Sequence, residues 1–255
     1  MTSELLERLR SGLIVSCQAR PGSPVHGPRF MAAFGQAASL ARAVGVRADG
    51  PRDIRALRRT VDLPIIGIFK RRETAWPVYI TPTLQAARAV IRAGADIVAL
   101  DATHRPRRGG LAPEDLIAAV RGLGRPIMAD IDSLDEGVAA VAAGADLVAT
   151  TLAGYTERRP ATEGPDLALV RDLVARVAVP VVCEGRIRGP EDVRAAFLAG
   201  AFAVVVGTAI TNPVTIAERF VAATPRASRA EAGRPAAPAR PERAGRSPSR
   251  RPEGS

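Results

Sequence analysis

The sequence predicts an α/β protein of the TIM (β/α)8 barrel class, and three observations carry this prediction. Prolines open short apolar runs at three places, over residues 64–67, 126–129 and 180–183. Ala-Gly-Ala steps end helical patterns and lead into strands at three others, around Gly94, Gly144 and Gly200. Strand and helix patterns alternate eight times, and eight buried parallel strands with helices between them close most naturally into a barrel.

Short apolar runs place the eight strands around positions 15, 46, 66, 98, 128, 148, 182 and 205. Helical patterns are predicted over about residues 1–10, 29–42, 83–93, 113–122, 134–143, 167–177 and 190–199. A doubly wound open sheet is the alternative architecture. The lack of a dinucleotide-type glycine loop and the count of eight strands argue against it.

Composition divides the chain into two regions. The whole chain has 255 residues, of which 47% are hydrophobic, and this suffices for one large core. We predict that residues 1–224 form the barrel. Residues 225–255 contain only Ala, Pro, Arg, Gly, Ser and Glu, with eight arginines against three glutamates, which predicts a disordered basic tail. The tail has no aromatic residue that could stack on bases, so nucleic-acid binding is not expected.

Cysteine and histidine usage argues against a disulfide framework and against a metal site. Cys17 and Cys183 lie far apart, and His26 and His104 lack the spacing of metal ligands. No apolar run approaches the length of a membrane span, and the first ten residues lack a signal-peptide pattern. We therefore expect a cytoplasmic protein without a metal or a membrane partner.

Lysine occurs only once among the 36 Lys and Arg residues, at Lys70, directly after the apolar run 63–69. An amine can lose its proton where a guanidinium cannot, which suits a base or a Schiff-base former. Glu184 ends the seventh strand, so the two side chains face each other across the mouth of the barrel, where the carboxyl ends of the strands meet. A carbon held between them can lose a proton on one face and regain it on the other. A structural ion pair of Lys70 with a carboxylate is the alternative.

Most other strand ends also carry polar side chains, as is typical of an enzyme of this architecture. These residues are Gln18, Arg47, Asp101, Asp130, Thr151 and Thr208. The loops after the last two strands contain Gly185-Arg186 and Gly207-Thr208, a pattern that favours a phosphate site over two simple tight turns.

Some polar residues of the mouth allow more than one interpretation. Asp101 and Asp130 either pair with a cation or orient substrate hydroxyls. Tyr155 lies in a loop that either covers the substrate or forms a plain turn with a packed ring. The arginines that follow His104, at positions 105, 107 and 108, are expected to lie in a solvated loop.

Six motifs in chain order resemble those of the bacterial N-acetylmannosamine-6-phosphate 2-epimerases of sialic-acid catabolism. The motifs are GLIVSCQ at 12–18, PIIGIFK at 64–70, DAT at 101–103, TTLAGYT at 150–156, EGR at 184–186 and GTAIT at 207–211. The resemblance runs from about residue 6 to residue 223. It departs from the family pattern Arg-x-Glu-Gly at 47–50, where Asp49 stands in place of the glutamate.

The resemblance implies a barrel of the ribulose-phosphate-binding type and an epimerase of amino-sugar catabolism that needs no cofactor. Such an enzyme interconverts N-acetylmannosamine 6-phosphate and N-acetylglucosamine 6-phosphate by removing and returning the proton at carbon 2. By the resemblance, Lys70 and Glu184 are the acid/base pair. The residues that orient or contact the sugar are then Gln18, Arg47 and Asp130, with Thr151 and Tyr155 as further candidates. A homodimer is also expected.

Two other functions are compatible with the same barrel. A Schiff-base aldolase also uses a lysine at a strand end. A catalytically inert sugar-phosphate sensor would bind the same ligand and contact a partner through its basic tail. Trapping of a covalent adduct with borohydride would favour the aldolase, and tight binding without turnover would favour the sensor.

Overall fold

The computed structural model of the protein describes residues 2–226. From residue 227 onward the predicted tail lies outside the described residues, so its disorder stays a prediction. The chain divides into two compact units, one ending at Ala217 and the other beginning at Glu218, and the barrel strands belong to the first. The domain boundary predicted after residue 224 also stays a prediction.

Eight parallel strands form a closed barrel in which each strand pairs with its neighbours in sequence order. They are β1 (Leu13–Cys17), β2 (Gly45–Asp49), β3 (Ile65–Ile68), β4 (Ile97–Asp101), β5 (Ile127–Asp130), β6 (Leu147–Ala149), β7 (Val181–Glu184) and β8 (Ala203–Val206). β8 returns to pair with β1, with Leu13 opposite Val204, and this pairing closes the sheet. The predicted TIM barrel is confirmed, and the open sheet is excluded.

Residues 2–226 contain ten α-helices and one 3₁₀ helix, Thr150–Leu152, which follows β6. The α-helices are α1 (Thr2–Glu7), α2 (Pro28–Leu40), α3 (Gly50–Arg58), α4 (Leu84–Ala93), α5 (Pro113–Arg121), α6 (Leu134–Ala142), α7 (Leu167–Arg176), α8 (Pro190–Leu198), α9 (Thr208–Thr211) and α10 (Pro213–Ala222). The predicted helices are confirmed with ends that differ by up to three residues, whereas α3, α9 and α10 had no predicted bounds. None of the described helices is long and apolar enough to cross a membrane.

Glycines turn the chain from helix to strand in the left-handed conformation, as the Ala-Gly-Ala pattern predicts. Gly94 is the C-cap of α4 with φ 105°. Gly144 and Gly200, each two residues beyond the end of a helix, have φ of 104° and 93°. Other residues are strained in this conformation, so glycine allows the sharp turn that leads into the next strand.

Two apolar clusters build the barrel, one inside it and one between the strands and the helices. The inner cluster includes Ile14, Ile66, Ile97, Met128, Leu147, Val182 and Val205. Consecutive residues of a strand point to opposite sides of the sheet. Val46 and Ala48 of β2 both belong to the outer cluster, so Arg47 between them points into the barrel. A charged side chain thereby reaches a buried position below the mouth.

Both cysteines are free and buried in the outer cluster. Cys17 ends β1, and Cys183 lies one residue before the end of β7. Burial raises the pKa of each thiol to about 12. Both groups are therefore protonated at neutral pH, which makes them poor nucleophiles.

Candidate active site

Arg47 lies below the mouth of the barrel, and its side chain is 1% exposed. Its Nη1 donates to Asp130 Oδ1 at 3.0 Å and to Glu184 Oε2 at 2.5 Å, and its Nη2 donates to Asp130 Oδ2 at 2.5 Å. Thr151 Oγ1 lies between the same carboxylates, 2.7 Å from Asp130 Oδ1 and 3.0 Å from Glu184 Oε2. Burial would lower the pKa of Arg47, but the two carboxylates outweigh burial and raise it. One guanidinium therefore links β2, β5 and β7.

Lys70 lies two residues beyond β3, where the chain reaches the mouth. Its Nζ donates to Gln18 Oε1 at 2.5 Å. Gln18 Nε2 donates in turn to Ser16 Oγ at 2.7 Å, which fixes the orientation of the amide. The amine is thus held by an amide oxygen, and no carboxylate of the described residues forms a salt bridge with it.

Glu184 is the last residue of β7, and its side chain is 14% exposed. Thr150 fixes its main chain from the neighbouring strand end: Thr150 Oγ1 donates to Glu184 O at 3.0 Å and accepts from Glu184 N at 3.1 Å. Burial raises the pKa of the Glu184 carboxyl, and the charge of Asp130 raises it further against the opposing effect of Arg47. Glu184 therefore keeps its proton to a higher pH than an exposed glutamate does.

Burial shifts the proton affinity of Lys70 in the opposite direction. It lowers the pKa of the amine, and the charges of Arg47 and Arg72 lower it further, while Asp49 and Glu184 oppose the shift. The pKa values of Lys70 and Glu184 are therefore closer to each other than those of an exposed lysine and an exposed glutamate. Such a pair can remove a proton from one face of a substrate carbon and supply one to the other face.

Arg186 joins the turn after β7 to the long loop after β6. Its Nη1 donates to Ala153 O at 2.5 Å, its Nε to Gly164 O at 3.1 Å and its Nη2 to Thr162 Oγ1 at 2.9 Å. The guanidinium also lies 5.2 Å from the ring centre of Tyr155. Tyr155 is 58% exposed, so the interpretation as a packed ring is wrong and the loop presents the tyrosine to solvent.

The turn after β8 packs closely against β1. A Cβ on Gly207 would lie 3.3 Å from Ser16 Cβ, and this close approach favours glycine. α9 begins with Thr208, and Thr211 at its end donates through Oγ1 to Ser16 O at 2.8 Å. Because β7 and β8 are neighbours in the barrel, this turn adjoins the one at Gly185, where φ is 109°.

The prediction of a solvated arginine loop after β4 is wrong for Arg107, which is 2% exposed. Its Nη1 donates to Asp101 O at 2.8 Å and its Nη2 to Thr103 O at 2.5 Å. Two main-chain carbonyls therefore accept hydrogen bonds from the buried guanidinium. Arg105 Nη2 donates to Asp101 Oδ2 at 2.7 Å, which supports Asp101 as the partner of a cation. Arg108 is exposed, as predicted, and pairs with a surface glutamate.

Comparison with known proteins assigns this barrel to a family. A family model described as "Putative N-acetylmannosamine-6-phosphate epimerase" matches residues 31–226, which is well over half of the chain. The chain belongs to the N-acetylmannosamine-6-phosphate epimerase family.

Relatives across the epimerase family are similar over nearly their whole length. Two curated proteins named "Putative N-acetylmannosamine-6-phosphate 2-epimerase" illustrate this. The one from Caldanaerobacter subterraneus subsp. tengcongensis is 46% identical over 223 residues, covering 87% of this chain and 94% of the relative. The one from Thermosynechococcus vestitus is 50% identical over 220 residues, covering 86% and 96%. The solved N-acetylmannosamine-6-phosphate 2-epimerase from Clostridium perfringens has a TM-score of 0.82 and 40% identity, covering 85% of this chain and 95% of its own.

Within this epimerase-family barrel, most of the residues singled out from the sequence lie in two hydrogen-bonded groups at the mouth. Arg47, Asp130, Thr151 and Glu184 form the first, and Gln18 with Lys70 forms the second. Of the others, Asp101 ends β4, and the rest lie in the turns after β6, β7 and β8, namely Tyr155, Gly185, Arg186, Gly207 and Thr208. The contact that each residue makes with a substrate stays a prediction.

A buried carboxyl pair that the sequence analysis did not single out lies just after β5. The loops after β4 and β6 donate hydrogen bonds to it. Asp132 follows β5 and Glu136 lies in the first turn of α6, and they are 0% and 1% exposed. Thr156 Oγ1 donates to Asp132 Oδ2 at 2.5 Å, and Arg158 Nη1 and His104 N donate to Glu136 Oε1 at 3.2 Å and 3.1 Å. Nowhere in residues 2–226 are three or more His, Cys, Asp or Glu side chains grouped to hold a metal ion.

The two carboxyl groups differ in proton affinity, and Glu136 keeps its proton to the higher pH. Burial and the neighbouring Asp132 raise the pKa of Glu136 to about 7. Burial also acts on Asp132, but hydrogen bonds from Glu136 and Thr156 outweigh it and lower the pKa of Asp132. Asp132 Oδ1 is buried and accepts no hydrogen bond from the described residues.

This pair is expected to make the protein less stable as the pH rises toward neutrality. An unfolded glutamate has a pKa of about 4.3, so between that value and the raised pKa of Glu136 the folded chain binds more protons than the unfolded chain. The contribution of Glu136 to the free energy of unfolding is therefore complete below about pH 4.3 and is lost as the pH rises to about 7. We expect the loss to be on the order of 3–4 kcal/mol, at about 1.4 kcal/mol for each pH unit between the two pKa values.

Glu136→Gln tests this expectation, because the amide keeps a donor toward Asp132 but does not titrate. Urea unfolding at about pH 5 and about pH 8 measures the free energy at both ends of the window. The difference between the two values should be smaller in Glu136→Gln than in the wild type. Glu163→Gln, at a side chain that is 92% exposed, should behave like the wild type. Equal pH dependence in Glu136→Gln and the wild type would contradict the raised pKa of Glu136.

Proposed function

We propose that this protein is an epimerase that interconverts N-acetylmannosamine 6-phosphate and N-acetylglucosamine 6-phosphate without a cofactor. One observation carries the proposal: an amine with a lowered pKa and a carboxyl with a raised pKa lie at the ends of opposite strands, β3 and β7, of one barrel mouth. Family membership supports the choice of substrate, because the relatives are named for N-acetylmannosamine 6-phosphate.

The proposed reaction takes place on the open-chain sugar, in which carbon 2 lies next to the aldehyde carbon. Either Lys70 or Glu184 removes the proton from carbon 2, and the electron pair moves onto the aldehyde oxygen to give an enolate. Arg47, which its two carboxylate partners hold in place, stabilises the enolate as a fixed positive charge. The other member of the pair then protonates the opposite face, so that the configuration at carbon 2 is inverted. Each group acts as the base in one direction and as the acid in the other.

The remaining residues of the mouth are assigned to substrate binding. We assign the sugar to Gln18, Arg47, Asp130 and Thr151, with Tyr155 covering it from the loop after β6. The phosphate is assigned to the adjoining turns of β7 and β8, at Gly185, Arg186, Gly207 and Thr208. Main-chain N–H groups in such glycine turns can approach a phosphate closely, and the guanidinium adds a charge-assisted donor. Arg186 also ties this site to the tyrosine loop through its contacts with Ala153 and Thr162.

The proposal is tested by NMR of N-acetylmannosamine 6-phosphate incubated with the protein in D₂O. We expect N-acetylglucosamine 6-phosphate to appear, with deuterium at carbon 2 of the product, because the returned proton comes from a group that exchanges with solvent. Unchanged substrate without deuterium uptake would overturn the proposal. Trapping of an adduct at Lys70 by borohydride, together with carbon–carbon cleavage, would identify a Schiff-base aldolase instead.

We also propose that the enzyme works in the cytoplasm as a homodimer, with no nucleic-acid or membrane partner. The two free, buried cysteines are in keeping with a reducing compartment. The dimer is expected from the family resemblance, and sedimentation equilibrium at several protein concentrations measures it.

A further inference from the structure

Asp49 directs its side chain away from the helix that it precedes. It is the N-cap residue of α3, a position where an aspartate normally accepts a hydrogen bond from the first turn of its own helix. Among the described residues its carboxylate makes no such cap. Instead, Asp49 Oδ1 accepts a hydrogen bond from Lys70 N at 2.8 Å. The carboxylate therefore connects the end of β2 to the residue that carries the amine of the mouth.

The strand register explains how this contact arises. β2 and β3 pair in parallel with Asp49 opposite Ile68, the last residue of β3. Lys70 lies two residues beyond that pair, past the last main-chain bond of the ladder between these strands. The carboxylate of Asp49 takes the place of the next main-chain acceptor. It thereby holds the main chain of Lys70 after the strand itself has ended.

The charges around the Lys70 amine come from several elements. Arg47 of β2 and Arg72 of the loop after β3 are positive, and Glu184 of β7 and Asp49 are negative. Gln18, after β1, is neutral and accepts from the amine. Without Asp49, two arginines and the burial of the amine would act against its protonation, and Glu184 would be left to oppose them.

The surroundings of Asp49 supply a matched control. Asp53 lies in the first turn of α3, one helical turn beyond Asp49. Burial and the charge of Asp49 raise the pKa of Asp53 to about 6, whereas His26 and Arg52 oppose the shift. Asp53 is thus a second carboxyl near the same strand end, but Lys70 N donates its hydrogen bond to Asp49.

We propose that Asp49 is a positioning residue for Lys70, holding its main chain at the mouth and supplying a negative charge that offsets Arg47 and Arg72. The inference rests on the proposed function for its catalytic meaning, since a proton carrier must both bind and release its proton in each cycle. The contact itself is independent of which substrate the enzyme uses. Asp49 therefore acts on the reaction only through Lys70.

The single lysine of the chain permits a test that does not depend on turnover. Protein labelled with ¹³C,¹⁵N-lysine gives one set of side-chain signals, and their pH titration reports the midpoint of Lys70 alone. Asp49→Asn keeps an acceptor oxygen for Lys70 N but removes the charge. We expect it to lower the midpoint by about one pH unit. Asp49→Glu, which restores the charge, should return the midpoint toward the wild-type value.

Asp53→Asn removes a charge of the same sign one turn away and should leave the midpoint of Lys70 unchanged. The pH profile of turnover gives a second measurement, in which the limb due to Lys70 should shift in Asp49→Asn in the same direction as the midpoint. An unchanged midpoint in Asp49→Asn, or an equal shift in Asp53→Asn, would overturn the inference. If the midpoint shifts as expected but the wild type does not epimerise the sugar, the positioning role stands and the proposed function fails.

Discussion

Replacing Lys70 with alanine is expected to abolish turnover, with the rate falling by at least about 10³-fold. The variant removes the only side-chain amine of the chain, so no other lysine can take over the proton transfer. Gln18 would lose its hydrogen-bond donor but keep its bond to Ser16, so the fold should be retained. Circular dichroism and thermal unfolding check that the fold is intact.

Uptake of solvent deuterium at carbon 2 is the measurement that assigns the role of Lys70. If the amine is one of the two proton carriers, Lys70→Ala should lose conversion of the sugar, and exchange should become slow for at least one of the two epimers. The two epimers are therefore incubated separately. Exchange at the wild-type rate from both of them would exclude Lys70 as a proton carrier, whatever the effect on binding.

Replacing Arg47 with methionine is expected to lower the free energy of unfolding by about 3–5 kcal/mol and to abolish activity. The variant would leave Asp130 and Glu184 buried together without their shared positive partner, and burial of unpaired charge is costly. The enolate would also lose its stabilising cation. Equilibrium unfolding in urea measures the first effect, and the deuterium-uptake assay measures the second.

A double variant separates the loss of the ion pair from the loss of side-chain volume. In Arg47→Met combined with Asp130→Leu, one of the unpaired carboxyls is gone, so part of the lost stability should return. Arg194→Met is the surface control, because the side chain of Arg194 is 68% exposed and its pairing is worth little. A loss below about 1 kcal/mol in Arg47→Met would show that the buried network is not held by its charges.

The parts of the fold that could be predicted are those that local chemistry determines. Pro64 and Gly94 mark the start of a strand and the end of a helix by their own backbone preferences, so the alternation of eight strands was visible without the structure. α3 was harder to recognise, because its sequence is rich in arginine and buries only Ile54 and Leu57. These apolar residues fall on one face, but in a segment of nine residues they are too few to stand out among the charged ones.

In the site, residues at the ends of strands could be predicted and residues buried by loops could not. Lys70 and Glu184 follow apolar runs directly, so their place at the mouth is a consequence of the barrel itself. Glu136 and Arg107 instead lie in segments that look solvent-exposed, and loops from neighbouring strands cover them. Burial of that kind depends on contacts between distant segments, which periodicity along one segment does not report.

The two protonated thiols make this barrel a convenient background for spectroscopic labelling. Maleimides react with the thiolate form, which burial suppresses at both Cys17 and Cys183 near neutral pH. A cysteine introduced at the exposed position of Glu157, in the loop after β6, would therefore be the one thiol that a dye modifies. Fluorescence from that dye could follow the loop after β6 while a phosphosugar binds, with both native cysteines left in place.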